Sequence, residues 1–127
     1  MPENLGMSGK AIGFVYVSDR ERGLGFYRDT LGLAVRDSDP YGDFLEVSGA
    51  LLRLTTISGH QPHEHPVFGF DVDDMVATVE ALRDRGVVFE IYEGMGQDAL
   101  GIMTAPDGGK LAFFKDPDGN ALMLSQS

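Results

Sequence analysis

Few side chains in this chain are of types that do chemistry, and their spacing limits what they can do. His60, His63 and His65 form a His-x-x-His-x-His run with Glu64 among them. In an extended segment His63 and His65 point to one face, and neutral imidazole suits zinc, copper or nickel. The surrounding stretch, Ser58 to Pro66, is polar, carries Pro62 and Pro66, and offers no evident residues to orient the rings, as metal ligation usually requires. The simpler reading is a solvated linker that picks up metal adventitiously. Glu46, Glu90 and Tyr16 are the candidates for acid–base work, provided burial shifts a carboxylate toward neutrality. Nucleophilic catalysis has little to stand on. There is no cysteine, and no serine sits in a Gly-x-Ser-x-Gly elbow. Gly94-Met95-Gly96 lacks the following helix and Lys of a phosphate loop.

Composition narrows the partners. The chain has 127 residues, enough for one domain or two small modules sharing a core. Hydrophobic residues make up 43% and charged residues 24%, the balance of an ordinary globular protein. No apolar run approaches the length of a membrane span, and Met1 to Lys10 lacks the apolar core of a signal peptide, so 1–10 reads as a loose tail. The lack of cysteine excludes disulfides and fits a cytoplasmic location. A net charge of −10 argues against nucleic acid and anionic membranes as partners. It leaves a small molecule, even a cationic one, although solubility alone accounts for the charge.

The elements that must position these groups follow from pattern. Ala11 to Val17 is an apolar strand rich in Phe, Val and Tyr. Ser18 or Asp19 caps a helix whose buried stripe is Leu24, Tyr27 and Leu31, and Gly32 closes it. Gly23 and Gly25 weaken that helix by about 1 kcal/mol each unless something packs closely on them. Strands follow at Leu33 to Arg36, Phe44 to Val47 and Leu51 to Thr56. After the linker the plan repeats: a strand over Val67 to Val72, a helix opened by Asp73 and Asp74 with Met75, Val79 and Leu82 inward, Gly86 closing it, and a strand over Val87 to Tyr92. Asp19 to Gly32 and Asp73 to Gly86 are both 13 residues apart. The last hairpin turns at Asp116-Pro117-Asp118-Gly119, between Leu111–Phe114 and Ala121–Leu124. The order is therefore βαβββ twice, an α+β internal duplication: 11–57, a linker 58–66, and 67–126. The second copy carries extra residues from Glu93 to Lys110. Its glycines alternate with Met95, Leu100, Ile102 and Met103, which reads either as a mobile flap or as a longer hairpin completing the core.

Three stretches in this order carry a resemblance: Phe26-Tyr27-Arg28-Asp29 with Leu31-Gly32, then Val72-Asp73-Asp74, then Phe114 with Asp116-Pro117-Asp118-Gly119-Asn120. Together they resemble the vicinal oxygen chelate superfamily, the group of glyoxalase I, bleomycin-resistance proteins and extradiol dioxygenases. The resemblance covers Ala11 to Ser125. It implies two tandem βαβββ modules forming a cupped, open half-barrel sheet with helices on the convex face. It also implies a homodimer, with pockets between modules of one chain or of both. Metal-using members place His, Gln or Glu at four strand positions, matched here by Ile12, Arg53, Val67 and Met123. None is a ligand for such a metal, and the fixed cation of Arg53 opposes one. A metal-free member, without cofactor, is the expectation.

Given that frame, strand alternation from Ile12 turns Phe14 and Tyr16 into the cup and Gly13, Val15 and Val17 onto the helix. The same rule turns Leu51, Arg53 and Thr55 inward, with Val67, Gly69 and Met123 in the second module. Each of Phe14, Val67 and Met123 is singly as well explained by core packing. Arg53 is not, unless Glu46 pairs with it; otherwise it meets an oxygen-bearing or anionic part of a ligand. The candidate ligand-binding set is thus Ile12, Phe14, Tyr16, Arg53, Thr55, Val67, Met95, Met103 and Met123, apolar walls with a few polar handles. The expected function is metal-independent binding and sequestration of a small hydrophobic or aromatic molecule, as antibiotic-resistance members of the family do, with no catalytic residue required. The alternative is an isomerase or lyase using Glu46, Glu90 and Tyr16.

Overall fold

The structure, a computed structural model, describes residues 5–7 and 9–127. The expected tail, 1–10, therefore lies in part outside the described residues. Two four-stranded mixed sheets make up the fold. In the first, β1 (Ala11–Val17) runs parallel to β4 (Ala50–Thr56), which pairs antiparallel with β3 (Gly42–Val47), and β3 with β2 (Ala34–Asp39). In the second, β5 (Phe68–Asp71) runs parallel to β8 (Ala121–Gln126), then come β7 (Lys110–Lys115) and β6 (Met103–Thr104). The strand orders β1-β4-β3-β2 and β5-β8-β7-β6 are the same topology drawn twice. The two modules form the open, curved sheet of an α+β fold.

Each sheet carries its helix on one face. Helix α1 (Arg20–Gly25) starts where the Asp19 carboxylate accepts the Arg22 N–H at 3.1 Å, and α2 (Met75–Asp84) where Asp74 accepts that of Ala77 at 3.1 Å. The first helix does not stay α-helical to Gly32. It widens into a π-helical stretch, Phe26–Thr30, with the Leu31 N–H bonded to the Phe26 carbonyl at 2.9 Å. Gly32, at φ +78°, and Gly86, at φ +93°, provide the left-handed exits. The glycines of α1 split in role. A Cβ on Gly23 would lie 2.9 Å from Val17 Cγ1, so close packing requires that glycine; Gly25 has no such neighbour.

Val15, Val17, Leu45, Leu52 and Leu54 of the first sheet are buried under α1, and Ala112, Phe114, Leu122 and Leu124 of the second under α2. The sheets approach each other at β1 and β5, where a Cβ on Gly13 would sit 2.4 Å from Phe68 Cε1. Polar bonds join the same seam: Asn120 Nδ2 donates to the Tyr16 carbonyl at 2.9 Å, and the Ser18 N–H to Asp118 Oδ1 at 3.1 Å.

The expected strand over Val87 to Tyr92 does not form. Only a single bridge joins Phe89 to Phe114, and the regular edge partner of β7 is β6. The reason is a competing side chain. Gln97 accepts the Tyr92 N–H at 2.7 Å and donates to the Glu90 and Gly101 carbonyls at 2.8 Å each, satisfying backbone groups that a ladder would have used. Of the two readings of Glu93 to Lys110, the hairpin accounts for its second half: Asp98 accepts the Leu100 and Ile102 N–H groups at 2.9 Å, Ile102 is buried, and Met103 pairs with Leu111. Among the described residues no helix is long and apolar enough to cross a membrane.

Candidate functional site

The face of the first sheet opposite α1 is open. Register places its side chains in rows: Ile12, Leu51 and Glu46; then Phe14, Arg53 and Phe44; then Tyr16, Thr55 and Gly42. Ile12 is 45% exposed, Phe14 58% and Tyr16 40%, whereas their neighbours Val15 and Val17 are buried. The corresponding face of the second sheet carries Gly69, Met123, Phe113, Leu111 and Met103. Val67 lies just before β5, its N–H bonded to the Ala121 carbonyl at 2.9 Å. Strand register therefore gathers Ile12, Phe14, Tyr16, Arg53 and Thr55 on one open face and Met103 and Met123 on the other. Met95 sits in the turn after Tyr92, outside any strand.

Arg53 is the chemical centre of the first face. It is only 8% exposed. Its Nη2 donates to Asp39 Oδ1 at 2.9 Å and its Nε to Thr55 Oγ1 at 3.3 Å, and its guanidinium carbon lies 4.7 Å from the Phe44 ring centroid. Nη1 is buried without a hydrogen-bond partner. The expected pairing with Glu46 is not found. Glu46 stands in the adjacent row and is held by Lys10, with Arg36 Nε 3.9 Å away. Asp39 reaches Arg53 instead: it ends β2 opposite Gly42, in the row next to that of Phe44 and Arg53. The Arg53 guanidinium, first, and the Tyr41 N–H together hold the Asp39 carboxyl below the usual carboxylate range. Asp39 and Phe44 were legible only in part: alternation puts Phe44 on the open face once β3 is aligned with β4, but nothing in the sequence fixes that alignment.

Beside Phe44 lies a pit of about 220 Å³ lined by Ile12, Arg36, Asp37, Phe44 and Leu51. A bulge in β2 between Val35 and Asp37 brings Arg36 and Asp37 to its rim. A second hollow, of about 160 Å³, lies on the helix side among core residues such as Leu31, Phe70 and Leu124, with Thr78 its one polar lining side chain.

The acid–base candidates do not converge. The Glu46 and Tyr16 rows are four residues apart along the strands, about 13 Å at about 3.3 Å per residue, beyond joint action on one atom. Glu90, beside Phe113, is ion-paired with Lys115 at 3.4 Å. A metal centre does not fit either. Ile12, Arg53, Val67 and Met123 offer no imidazole or carboxylate. Among the described residues no group of three or more His, Asp or Glu is placed to hold an ion. His60 is instead bonded through Nε2 to Asn120 Oδ1 at 2.8 Å and packs against Tyr16 with ring centroids 5.8 Å apart, while His63 and His65 are exposed. Because Asn120 uses its amide group to donate to Tyr16 and Asp116, its oxygen must accept, so His60 Nε2 carries a proton.

Comparison with known proteins agrees with this architecture. The family model of the Glyoxalase/Bleomycin resistance protein/Dioxygenase superfamily matches residues 11–124. A putative glyoxalase family protein from Bacillus anthracis superposes with a TM-score of 0.76 at 15% identity, covering 100% of this chain and 99% of that one. A superfamily member from Sphaerobacter thermophilus gives 0.72 at 22% identity, covering 95% and 98%. Lactoylglutathione lyase from Agrobacterium tumefaciens gives 0.68 at 21% identity, covering 96% of each chain. At such identities the likeness is one of fold. Among curated proteins none matches the chain.

Proposed function

From its membership of the glyoxalase/bleomycin resistance protein/dioxygenase superfamily, to which this chain belongs, we propose that it binds and sequesters a small hydrophobic or aromatic molecule without a metal, as a resistance protein does. One observation carries the reading: the open sheet face presents a pit walled by Ile12, Leu51 and Phe44 with Arg36 and Asp37 at its rim, and Ile12 and Arg53 stand where metal-using relatives need imidazole and carboxylate donors. Ile12, Leu51 and Phe44 supply apolar contact, and aromatic stacking adds about 0.5–1.5 kcal/mol per pair. Arg53, Thr55 and Tyr16 are the polar handles, with Phe14, Val67, Met103 and Met123 widening the apolar wall. Met95 lies in a turn and contributes only by moving over a bound molecule. The carboxylates an enzyme would need are paired, Glu46 with Lys10 and Glu90 with Lys115. We further propose a cytoplasmic homodimer, since the open face leaves Ile12, Phe14 and Tyr16 for another surface to cover.

The test uses full-length protein without a His tag. Metal analysis is expected to find no stoichiometric transition metal. Bleomycin and a panel of flat aromatic compounds, titrated by calorimetry, are expected to include a binder whose affinity chelator does not change. That binder, incubated with excess protein, should be recovered unchanged by mass spectrometry. Conversion to a new product would replace this reading with the isomerase or lyase one, with Glu46, Glu90 and Tyr16 the residues to mutate.

A further inference from the structure

We propose that the hollow on the helix side is a second small-molecule site, which takes one uncharged aromatic ring of about the size of toluene between the two modules. The hollow, of about 160 Å³, is open to solvent on one side, so a ligand can enter without unfolding the chain. It lies across the sheets from the pit, and the inference does not depend on the reading of the open face. Both modules wall it. Leu31 and Leu33 stand at the exit of the first helix, and Thr78 and Leu82, one turn apart, on α2. Phe70 and Phe114 bring phenyl rings from β5 and β7.

Hydrogen bonds space these walls. The first helix ends wider than an α-helix: the Leu31 N–H reaches back five residues to the Phe26 carbonyl, and the Leu33 N–H six residues to that of Tyr27, at 3.0 Å. Arg85 Nη1 donates to the Thr30 carbonyl at 2.8 Å and so ties the end of α2 to that exit. The rings are held as well. Phe70 stands edge-on to Phe68 with centroids 5.3 Å apart, and Phe114 packs against Phe26 at 6.3 Å and Phe89 at 5.4 Å. The site is therefore formed before a ligand arrives, and little ordering is left to oppose binding.

The lining selects the class. No charged side chain lines the hollow, and Thr78 is its one polar lining residue, so an ion would lose its hydration with nothing to pair it. Two fixed phenyl walls add edge-to-face or offset contact for an aromatic guest. The volume suits one ring: an engineered apolar cavity of about 150 Å³ stays dry and binds benzene.

The test is an NMR titration of the full, methyl-labelled chain with toluene. The methyl signals of Leu33, Val72, Thr78 and Leu82 are expected to shift together and to saturate with a Kd of about 1 mM or tighter. Toluene protons should give NOEs to the Thr78 and Leu82 methyls, which places the ring on the helix side; Ile12 and Leu51 report on the pit separately. Val72→Phe, whose added ring fills the hollow, is expected to abolish the shifts at Leu33, Thr78 and Leu82. Should that variant not fold, Leu33→Phe takes its place, and the wild-type NOEs locate the ligand in either case. Shifts confined to Ile12 and Leu51, no saturable shift at the hollow, or full toluene binding by a folded Val72→Phe overturns the site. Sodium benzoate, similar in size but charged, should leave the same methyls in place; shifts equal to those of toluene would overturn the ligand class.

Discussion

The Tyr27 hydroxyl donates to Asp116 Oδ2 at 2.8 Å, joining the helix of the first module to the last turn of the second inside the core. Asp116 is fully engaged there. Its other oxygen accepts the Asp118 and Asn120 N–H groups at 3.0 and 2.9 Å, and Oδ2 also accepts Asn120 Nδ2 at 2.8 Å. Burial, and then the Asp116 charge, push the Tyr27 hydroxyl far above its ordinary value, so it remains a donor at any usable pH. Tyr27→Phe removes one donor from a buried carboxylate and is expected to cost about 1–3 kcal/mol in urea unfolding. Asp116→Asn should cost at least as much, because its amide N–H₂ must face donors in either orientation. A Tyr27→Phe variant as stable as the parent would show the bond contributes nothing to holding the modules together.

Gly13 gives the second prediction. A methyl group there would lie 2.4 Å from Phe68 Cε1, so β1 and β5 approach as they do only because residue 13 has no side chain. Gly13→Ala is expected to destabilise by about 1–3 kcal/mol through overpacking. Adding Phe68→Leu, which withdraws the ring, should recover part of the loss, and the non-additivity of the pair measures the contact. Independent, additive effects in thermal unfolding would place the clash elsewhere.

Both contacts show where sequence reasoning stops. The alternation of β1 and β4 was enough to turn Ile12, Phe14 and Tyr16 to one face and Val15 and Val17 to the other, because a period of two follows from strand geometry. The caps at Asp19 and Asp74 and the left-handed exits at Gly32 and Gly86 were legible for the same local reasons. The partner of Arg53 was not. Choosing Asp39 over Glu46 depends on the β2–β3 register and the bulge at Arg36, which are tertiary facts. Nor was the missing ladder at Val87 to Tyr92, since Gln97 competes through side-chain hydrogen bonds that leave no mark on hydrophobic periodicity.

Asp39 titrates as a reporter of Arg53. Its carboxyl is held below the ordinary value by the Arg53 hydrogen bond, with the Tyr41 N–H next in effect. A depressed folded-state value means the carboxylate favours the folded protein. That contribution is present in full above the unfolded-state value of about 3.9 and is lost as the pH falls through the lower, folded one. NMR titration of Asp39 is expected to show a midpoint below an ordinary aspartate's, rising toward it in Arg53→Met. An unchanged midpoint in that variant would mean the backbone N–H groups alone set it.

The open face also sets the expected oligomeric state. β2, an outer edge, carries Arg36, Asp37 and Asp39 and a bulge, all of which discourage edge-to-edge pairing. The apolar surface proposed for association is the sheet face, where Phe14 is the most exposed member of its row. A carboxylate placed there costs the isolated chain little, because Phe14 is already largely in water, but it would be buried unpaired against a second copy. Wild-type protein is expected to sediment as a dimer at about tens of micromolar, a concentration where even modest affinities are populated. Phe14→Asp should sediment as a monomer with an unchanged circular dichroism spectrum. A wild-type monomer at that concentration would end the dimer proposal. A Phe14→Asp dimer would keep the dimer but move its interface off Phe14.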